Sequence, residues 1–408
     1  MAFFIEEEGA VFIMENTKLW TKNFMAIVMA NALLFGGFHI LLPTLPLYAA
    51  ANGATGSQIG IITGIFGFSA IFIRFFTDFG QQAVGKKMCL YVGLLISFLC
   101  TIGYSLFASV NEMIAIRILH GFGFGLTTTF SAALAAEIIP QARMGEGIGY
   151  FGLGSTLAMA LAPAAGLGLM TDAGAGVMFL AAAGATALAA LSTRFSKAQN
   201  AVVKKETAAA KLSLRDRFLE RGTAVPALLT VLFGMSYGSV NTFVSMLANE
   251  AHIADAGYFF IVGTVCIFLS RPVGGRIFDA KGPAWIMVPG AALFFIALIM
   301  LMHATSLAML LGAAVLYGFG GGLLLPALLT WMLNLVQPTR RSGASATFYN
   351  MLDVGTSAGA IGLGAAAEKI GYIAMYRYSA AAMAIFAIVF VLYMLRKPKA
   401  ELEENEVC

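Results

Sequence analysis

The chain has 408 residues, 59% of them hydrophobic and only 11% charged, with a mean hydropathy of +0.84 and a formal net charge of +4. A soluble domain carries roughly 25% charged residues, so this composition excludes an ordinary water-soluble enzyme or binding module and indicates a polytopic membrane protein. Cys89, Cys100, Cys266 and Cys408 are scattered, without metal-ligand or disulfide spacing, and read as packing residues; the modest positive charge lies in loops, where it bears on membrane orientation rather than on nucleic acid.

Crossing about 30 Å of hydrocarbon takes about 20 apolar residues at 1.5 Å each, with every backbone polar group satisfied inside the span, so about a dozen helices are expected in a chain of this length. The opening MAFFIEEEGAVFI lacks the basic n-region and small-residue cleavage site of a signal peptide, and Met14 is an alternative start. Residues 1–22 are expected to be a cytoplasmic N-terminus, in which Lys18 and Lys22 precede the first apolar run. Six spans are predicted near 23–48, 57–80, 86–109, 112–136, 144–170 and 174–194, forming a bundle over 23–194. The stretch 195–222 carries Lys197, Lys204, Lys205, Lys211, Arg215, Arg217 and Arg221, has no apolar run long enough to span, and reads as a cytoplasmic linker. Six more spans near 223–249, 255–279, 283–303, 306–336, 342–367 and 371–395 make a second bundle over 223–395, and 396–408 is a cytoplasmic tail. Loop charge tests this layout: Lys86, Lys87, Arg143, Arg276, Lys281, Arg340 and Arg341 fall at turns on the linker side. The opposite turns hold chiefly Glu112, Asp172, Glu250, His252, Asp255 and Glu368, with Lys369 dissenting. Both termini are therefore expected in the cytoplasm.

The halves repeat. Arg74 and Arg271, Gly85 and Gly282, and Gly121 and Gly318 are each 197 residues apart. The second copy of the first motif, RPVGGRIFDAKGP from Arg271 to Pro283, reads as the end of an apolar helix followed by an acid and two basic residues in a short turn. Its first copy, RFFTDFGQQAVGKK from Arg74 to Lys87, keeps Arg74, Gly85 and the basic pair but has Gln82 where the second has Asp279. RILHGFGFG and AVLYGFGGG form another matched pair. Arg271, Pro272, Gly275, Asp279 and Gly282 resemble the loop signature of the major facilitator superfamily. That resemblance implies an all-α membrane fold of twelve transmembrane helices in two pseudo-symmetric six-helix bundles around a central substrate site. It also implies that Asp279 docks on the start of the fifth span near Met144, with Arg143 or Arg276 completing a charge pair that breaks on inward opening. An anion at a helix N-terminus is favoured by about 0.3 to 1 kcal/mol in exposed settings. Gln82 has no charge, so the matching contact to the eleventh span should be weaker unless Asp78 compensates.

Two stretches sharpen the resemblance. LFGGFHILLPTLP ends in Pro43 and Pro46, which is similar to the first-span signature of twelve-span drug and metabolite proton antiporters. In the fifth span Gly149, Pro163 and Gly166 match the antiporter signature while Ala158 and Ala162 replace its usual glycines. Small residues flatten one helix face and Pro163 removes a backbone donor, which also suits a generic close-packed span.

Ionisable residues inside spans cost roughly 2.5 to 3.5 kcal/mol on insertion scales and are candidate functional groups. Arg117 lies about 8 Å inside Glu112, with His120 one turn on. The antiporter resemblance implies proton handling for Arg117, whereas a shallow arginine can also snorkel outward or bind a carbonyl. Asp353 lies about 18 Å beyond Arg341, near the midplane, and shares a face with Asn350 and Ser357. A carboxylate there can exchange a proton near neutral pH as its surroundings change, or can be tied structurally to a neighbouring helix. His39, Phe35 and Asn31 share one face of the first span, where His39 is either a proton-coupling residue or a hydrogen-bonded packing residue. Tyr237 and Asn241 form a further polar pair in the seventh span.

The sequence thus points to a monomer in the plasma (inner) membrane that exports a small organic molecule, drug or metabolite, in exchange for protons by alternating access. Asp353, Arg117 and His39 are the proton-coupling candidates, and Asn31, Phe35, His120, Tyr237, Asn241 and Asn350 the substrate-cavity candidates. Arg74, Asp78, Gly85, Arg143, Arg271, Gly275, Arg276 and Asp279 belong to the gating motifs. No cofactor or metal is implied, and the substrate is not legible. A proton-coupled or facilitative importer of a sugar or organic acid and a non-transporting sensor remain alternatives. A membrane enzyme is least supported, because GFGFG and GFGGG sit inside spans rather than in phosphate-binding loops.

Overall fold

The computed structural model describes residues 18–140, 143–195, 219–220, 222–337 and 340–396, and these form helices and turns without a strand. The first bundle contains α1 (Lys22–Ala51), α2 (Gly56–Arg74), the short α3 (Thr77–Val84), α4 (Lys86–Leu106), α5 (Val110–Ile138), α6 (Met144–Ala173) and α7 (Ala175–Phe195). The second contains α8 (Ala224–Glu250), α9 (Gly257–Lys281), α10 (Ala284–Leu301), α11 (Leu307–Asn334), α12 (Arg341–Ile370) and α13 (Tyr372–Arg396). Eleven of the helices are long and apolar enough to cross a membrane. With 30 residues, α12 is also long enough, but Ser345, Thr347, Asn350, Asp353, Thr356 and Ser357 lower its hydropathy. It can afford them because it is flanked by protein, α2 on one side and α8 on the other.

Helix starts follow local chemistry. Thr21 accepts from the Phe24 amide at 3.2 Å, and Thr55 with Gln58 forms a capping box, as does Ser109 with Glu112. These side chains occupy amides that have no partner in the first helical turn. Gly85 and Gly282 hold φ of +84° and +77° after α3 and α9, a backbone state that only glycine adopts without strain.

The Arg271 to Pro283 stretch differs from its sequence reading. Instead of a helix end and a charged turn, α9 continues without interruption to Lys281, and the chain turns only at Gly282. Charge needs water, not a loop. The last turns of a 25-residue helix can extend beyond the apolar layer, and Arg276 and Lys281 are exposed there. In the first copy the helix does break, at Phe75 and Phe76, and Thr77 Oγ1 donates back to the Arg74 carbonyl at 2.8 Å. The second span accordingly stops at Arg74 rather than continuing to residue 80.

The two bundles repeat their packing. Within the first, α1 lies on α6 and α7, α5 on α2 and α4, and α4 on α7. Within the second, α8 lies on α12 and α13, α11 on α9 and α10, and α10 on α13. Substituting each helix by its counterpart 197 residues later reproduces the same set of neighbours. Between bundles α2 meets α12, α6 meets α9 and α1 meets α8, which is the pattern of a pseudo-two-fold axis running through the gap. With helices alternating in direction, the described ends at Lys18, Phe195, Leu219 and Arg396 lie on one side, called here the linker side. Cys89, Cys100 and Cys266 are buried free thiols, and Cys408 lies outside the described residues.

Candidate functional site: the gap between the bundles

The α2–α12 seam is the most extensive contact between the bundles. Gly56, Gly60 and Gly64 let the α12 backbone approach so closely that a Cβ on Gly60 would meet the Ala360 carbonyl and lie 3.1 Å from Gly364 Cα. At the end away from the linker, the Ser57 amide donates to Glu368 Oε2 at 3.0 Å. Gly257 packs on Ala164 across the α6–α9 contact, and Tyr237 donates to the Met159 sulfur at 3.4 Å.

Toward the linker side the seam ends in an ion pair. Arg74 Nη1 donates to Asp353 Oδ2 at 2.5 Å, with the two side chains 24% and 32% exposed. Arg74, expected in a gating motif, and Asp353, expected near the midplane, are therefore joined across the bundles. The uncharged Gln82 had suggested a weak link to the eleventh span, yet Arg74 supplies a charged one. Asn350 is half-buried one turn before Asp353, and Tyr349 is exposed on the adjoining face. Arg271, the counterpart of Arg74, is exposed on α9 and lies within electrostatic reach of Tyr237 and Tyr349.

Inside the first bundle Arg117 is only 2% exposed. Its Nε donates to the Ile62 carbonyl at 3.2 Å, its guanidinium lies 4.2 Å from the Phe66 ring centroid, and its Nη1 has no hydrogen-bond partner. Tyr104 Oη and His120 Nδ1 are 3.2 Å apart beside it. His39 is buried and its Nδ1–H donates to the Phe35 carbonyl at 2.9 Å, leaving Nε2 as an acceptor. Phe35, Phe38, Phe66 and Phe124 form one aromatic cluster with these histidines, joined by Phe38–Phe124 and Phe38–Phe66 centroid distances of 4.5 and 5.0 Å. Asn31 is buried and donates to the Phe151 carbonyl of α6 at 3.1 Å. Asn31→Ala should remove this bond between α1 and α6 and lower stability by about 0.6 to 2 kcal/mol, read as a lower melting temperature in detergent.

In the second bundle Asn241 Nδ2 donates to the Tyr237 carbonyl at 2.8 Å and to Tyr317 Oη at 2.9 Å, while Tyr237 stacks on Tyr317 at 5.8 Å. Sequence reasoning missed Tyr317, although the repeat offset carries His120 onto it. It also missed two charge pairs on the linker side. Lys86 pairs with Glu137, and Arg340 at the start of α12 pairs with the buried Glu220 at 2.5 Å. Glu220 also donates its amide to Thr347 at 2.8 Å, tying the end of the linker to α12.

Of the remaining motif residues, Arg143 occupies the N-cap of α6, and Gly275 and Arg276 lie exposed on α9. The side chains of Asp78 and Asp279, the surroundings of Gly149, and the side chain of Met144 lie outside the described residues, so the expected Asp279 contact does as well. Pro163 is buried inside α6, and Gly166 sits against Ile40 of α1. Among the described residues no group of three His, Cys, Asp or Glu could hold a metal ion.

Known proteins share this architecture. The chain is 21% identical over 398 residues to the staphylopine export protein of Staphylococcus aureus (strain Mu50), covering 92% of this chain and 96% of that protein. It is 26% identical over 403 residues to the multidrug resistance protein MdtG of Klebsiella pneumoniae (strain 342), covering 95% and 97%. The crystal structure of the nucleoside transporter NupG superposes with a TM-score of 0.74 at 15% identity, over 93% of this chain and all of that one (100%). The sequence profile described as Major Facilitator Superfamily matches residues 27–246 and again 226–407. Because that profile runs through both repeated bundles, the chain belongs to the Major Facilitator Superfamily and is a multi-pass membrane transporter.

Proposed function

We propose that the chain is a monomeric exporter of a small organic molecule, a drug or metabolite, driven by proton antiport through alternating access in the plasma (inner) membrane, with both termini cytoplasmic. The observation that carries this reading is the Arg74–Asp353 pair, a charge contact between bundles formed by a half-buried acid. Protonating Asp353 removes the negative charge that holds Arg74, so proton uptake weakens one link between bundles and proton release restores it. The charged group bonded to Asp353 is Arg74 from α2, and Tyr349 of its own helix lies within electrostatic reach of it. The names of two relatives, a staphylopine export protein and a multidrug resistance protein, support export. Arg117 and His39 are secondary proton-coupling candidates, because both are buried and already hydrogen-bonded. Arg143, Gly275, Arg276, Asp78 and Asp279 are assigned to gating on the linker side, where Lys86–Glu137 and Arg340–Glu220 brace the adjoining helix ends.

Purified full-length chain in proteoliposomes with an imposed pH gradient tests the reading. Drug and metabolite probes should accumulate against their own gradient only while the pH gradient lasts. Asp353→Asn should abolish that accumulation while leaving downhill exchange. Equal pH-driven accumulation by the variant removes Asp353 as the carrier; substrate movement in the same direction as protons indicates an importer, and no flux with any probe indicates a sensor.

A further inference from the structure

We propose that the transported molecule is an organic anion, and that Arg271 binds its carboxylate or phosphate; this rests on the transporter reading above.

The symmetry between the bundles is broken at one pair of arginines. Arg74 and Arg271 are counterparts 197 residues apart, and α12 stands to α2 as α6 stands to α9. Arg74 finds Asp353 on α12. The same offset carries Asp353 onto Thr156 of α6, a neutral side chain whose hydroxyl donates to the Gly152 carbonyl at 3.0 Å. Among the described residues Arg271 therefore has no acidic partner.

Its depth makes this informative. Arg271 lies eleven residues before Gly282, which places it about 16 Å along the helix from the linker-side turn, yet its side chain is exposed. A guanidinium at that depth cannot face hydrocarbon cheaply, which turns it toward the gap between bundles, and it lies within electrostatic reach of Tyr237 and Tyr349. Charge in the interior is unbalanced in the same sense. Among the described side chains Arg74, Arg117 and Arg271 stand against Asp353, which Arg74 already occupies, and Arg117 keeps a buried Nη1 without a partner. A cationic substrate would be repelled by this arrangement, whereas an anion supplies the charge it lacks. The neighbouring wall is aromatic, with Tyr237 stacked between Phe233 and Tyr317, so an aromatic acid suits it.

The test is the melting temperature of the purified full chain in detergent, titrated with benzoate, 1-naphthoate and phenyl phosphate, with benzamide and tetraphenylphosphonium as neutral and cationic controls. The anions should raise it in a saturable way and the controls should not. Arg271→Gln should weaken the response roughly tenfold or more, and Arg271→Lys should retain it at severalfold lower affinity, because an ammonium keeps the charge but loses the bidentate fork. If Arg271→Gln does not fold, the comparison is read on Arg271→Lys. No response to any anion, a response to tetraphenylphosphonium alone, or variants that respond like wild type would overturn the proposal. Anion binding without pH-driven flux counts against the exporter reading alone; pH-driven flux of a cation without anion binding counts against this inference alone.

Discussion

Arg74→Gln should be more damaging than Asp353→Asn, and the double variant should recover part of the loss. Removing the arginine leaves a half-buried carboxylate with no cation bonded to it, whereas Asp353→Asn leaves an amide oxygen that can still accept from Arg74. Breaking a fully buried pair from one side costs about 3 to 5 kcal/mol. Here the side chains are 24% and 32% exposed, so water recovers part of that, and about 1 to 3 kcal/mol is expected for Arg74→Gln. The double variant has no stranded charge, and its coupling energy should be about 1 to 2 kcal/mol. Thermal unfolding of the four proteins in one detergent measures this cycle. Additive losses, within about 0.5 kcal/mol, would mean that the two side chains do not act on one another.

Gly60→Leu should prevent the α2–α12 seam from closing. A Cβ at Gly60 meets the backbone of Ala360, Ile361 and Gly364, and backbone cannot rotate away as a side-chain end can. Overpacking of this kind costs about 1 to 3 kcal/mol, equivalent to a shift of roughly 5-fold to 150-fold toward the separated seam. Ser57→Cys reports on it, since Ser57 lies at the seam's outer end beside Glu368 and the described native cysteines are buried. A membrane-impermeant maleimide applied from the side opposite the linker should label Ser57→Cys faster in the Gly60→Leu background, and pH-driven flux should fall. Unchanged labelling would place the seam's strength elsewhere than in its glycines.

The two-bundle fold was largely legible in the sequence, because the signals that define it are local and additive. Apolar run length sets the spans, basic loops mark one side, and the 197-residue repeat fixes which helix corresponds to which. Where the chain turns in the charged motif was less legible. Arg271 to Lys281 contains Pro272, two consecutive glycines and four charges, a composition that reads as a turn, but helix geometry beyond the apolar layer satisfies the same charges. The site was legible only in part. Asp353 stood out by depth and Arg74 by motif, yet their pairing spans 279 residues and depends on how closely glycine lets two helices approach. Asn31 and His39 lie on the shared face expected of them, but both spend their polar atoms on nearby carbonyls, a choice set by packing rather than by spacing. Glu220 does not stand out within the basic linker 195–222, because its partner, Arg340, lies 120 positions later.

The proposed tilt of the two bundles against one another about the Arg74–Asp353 contact is tested most directly by paired distance measurements. Spin labels at Asn52 and Lys369, exposed on the side opposite the linker, and at Lys22 and Arg341, exposed on the linker side, report the two ends of the gap. In lipid nanodiscs, lowering the pH should lengthen one distance while shortening the other, and Asp353→Asn should remove the pH response from both. Two distances that stay fixed, or that change in the same direction, would contradict the account.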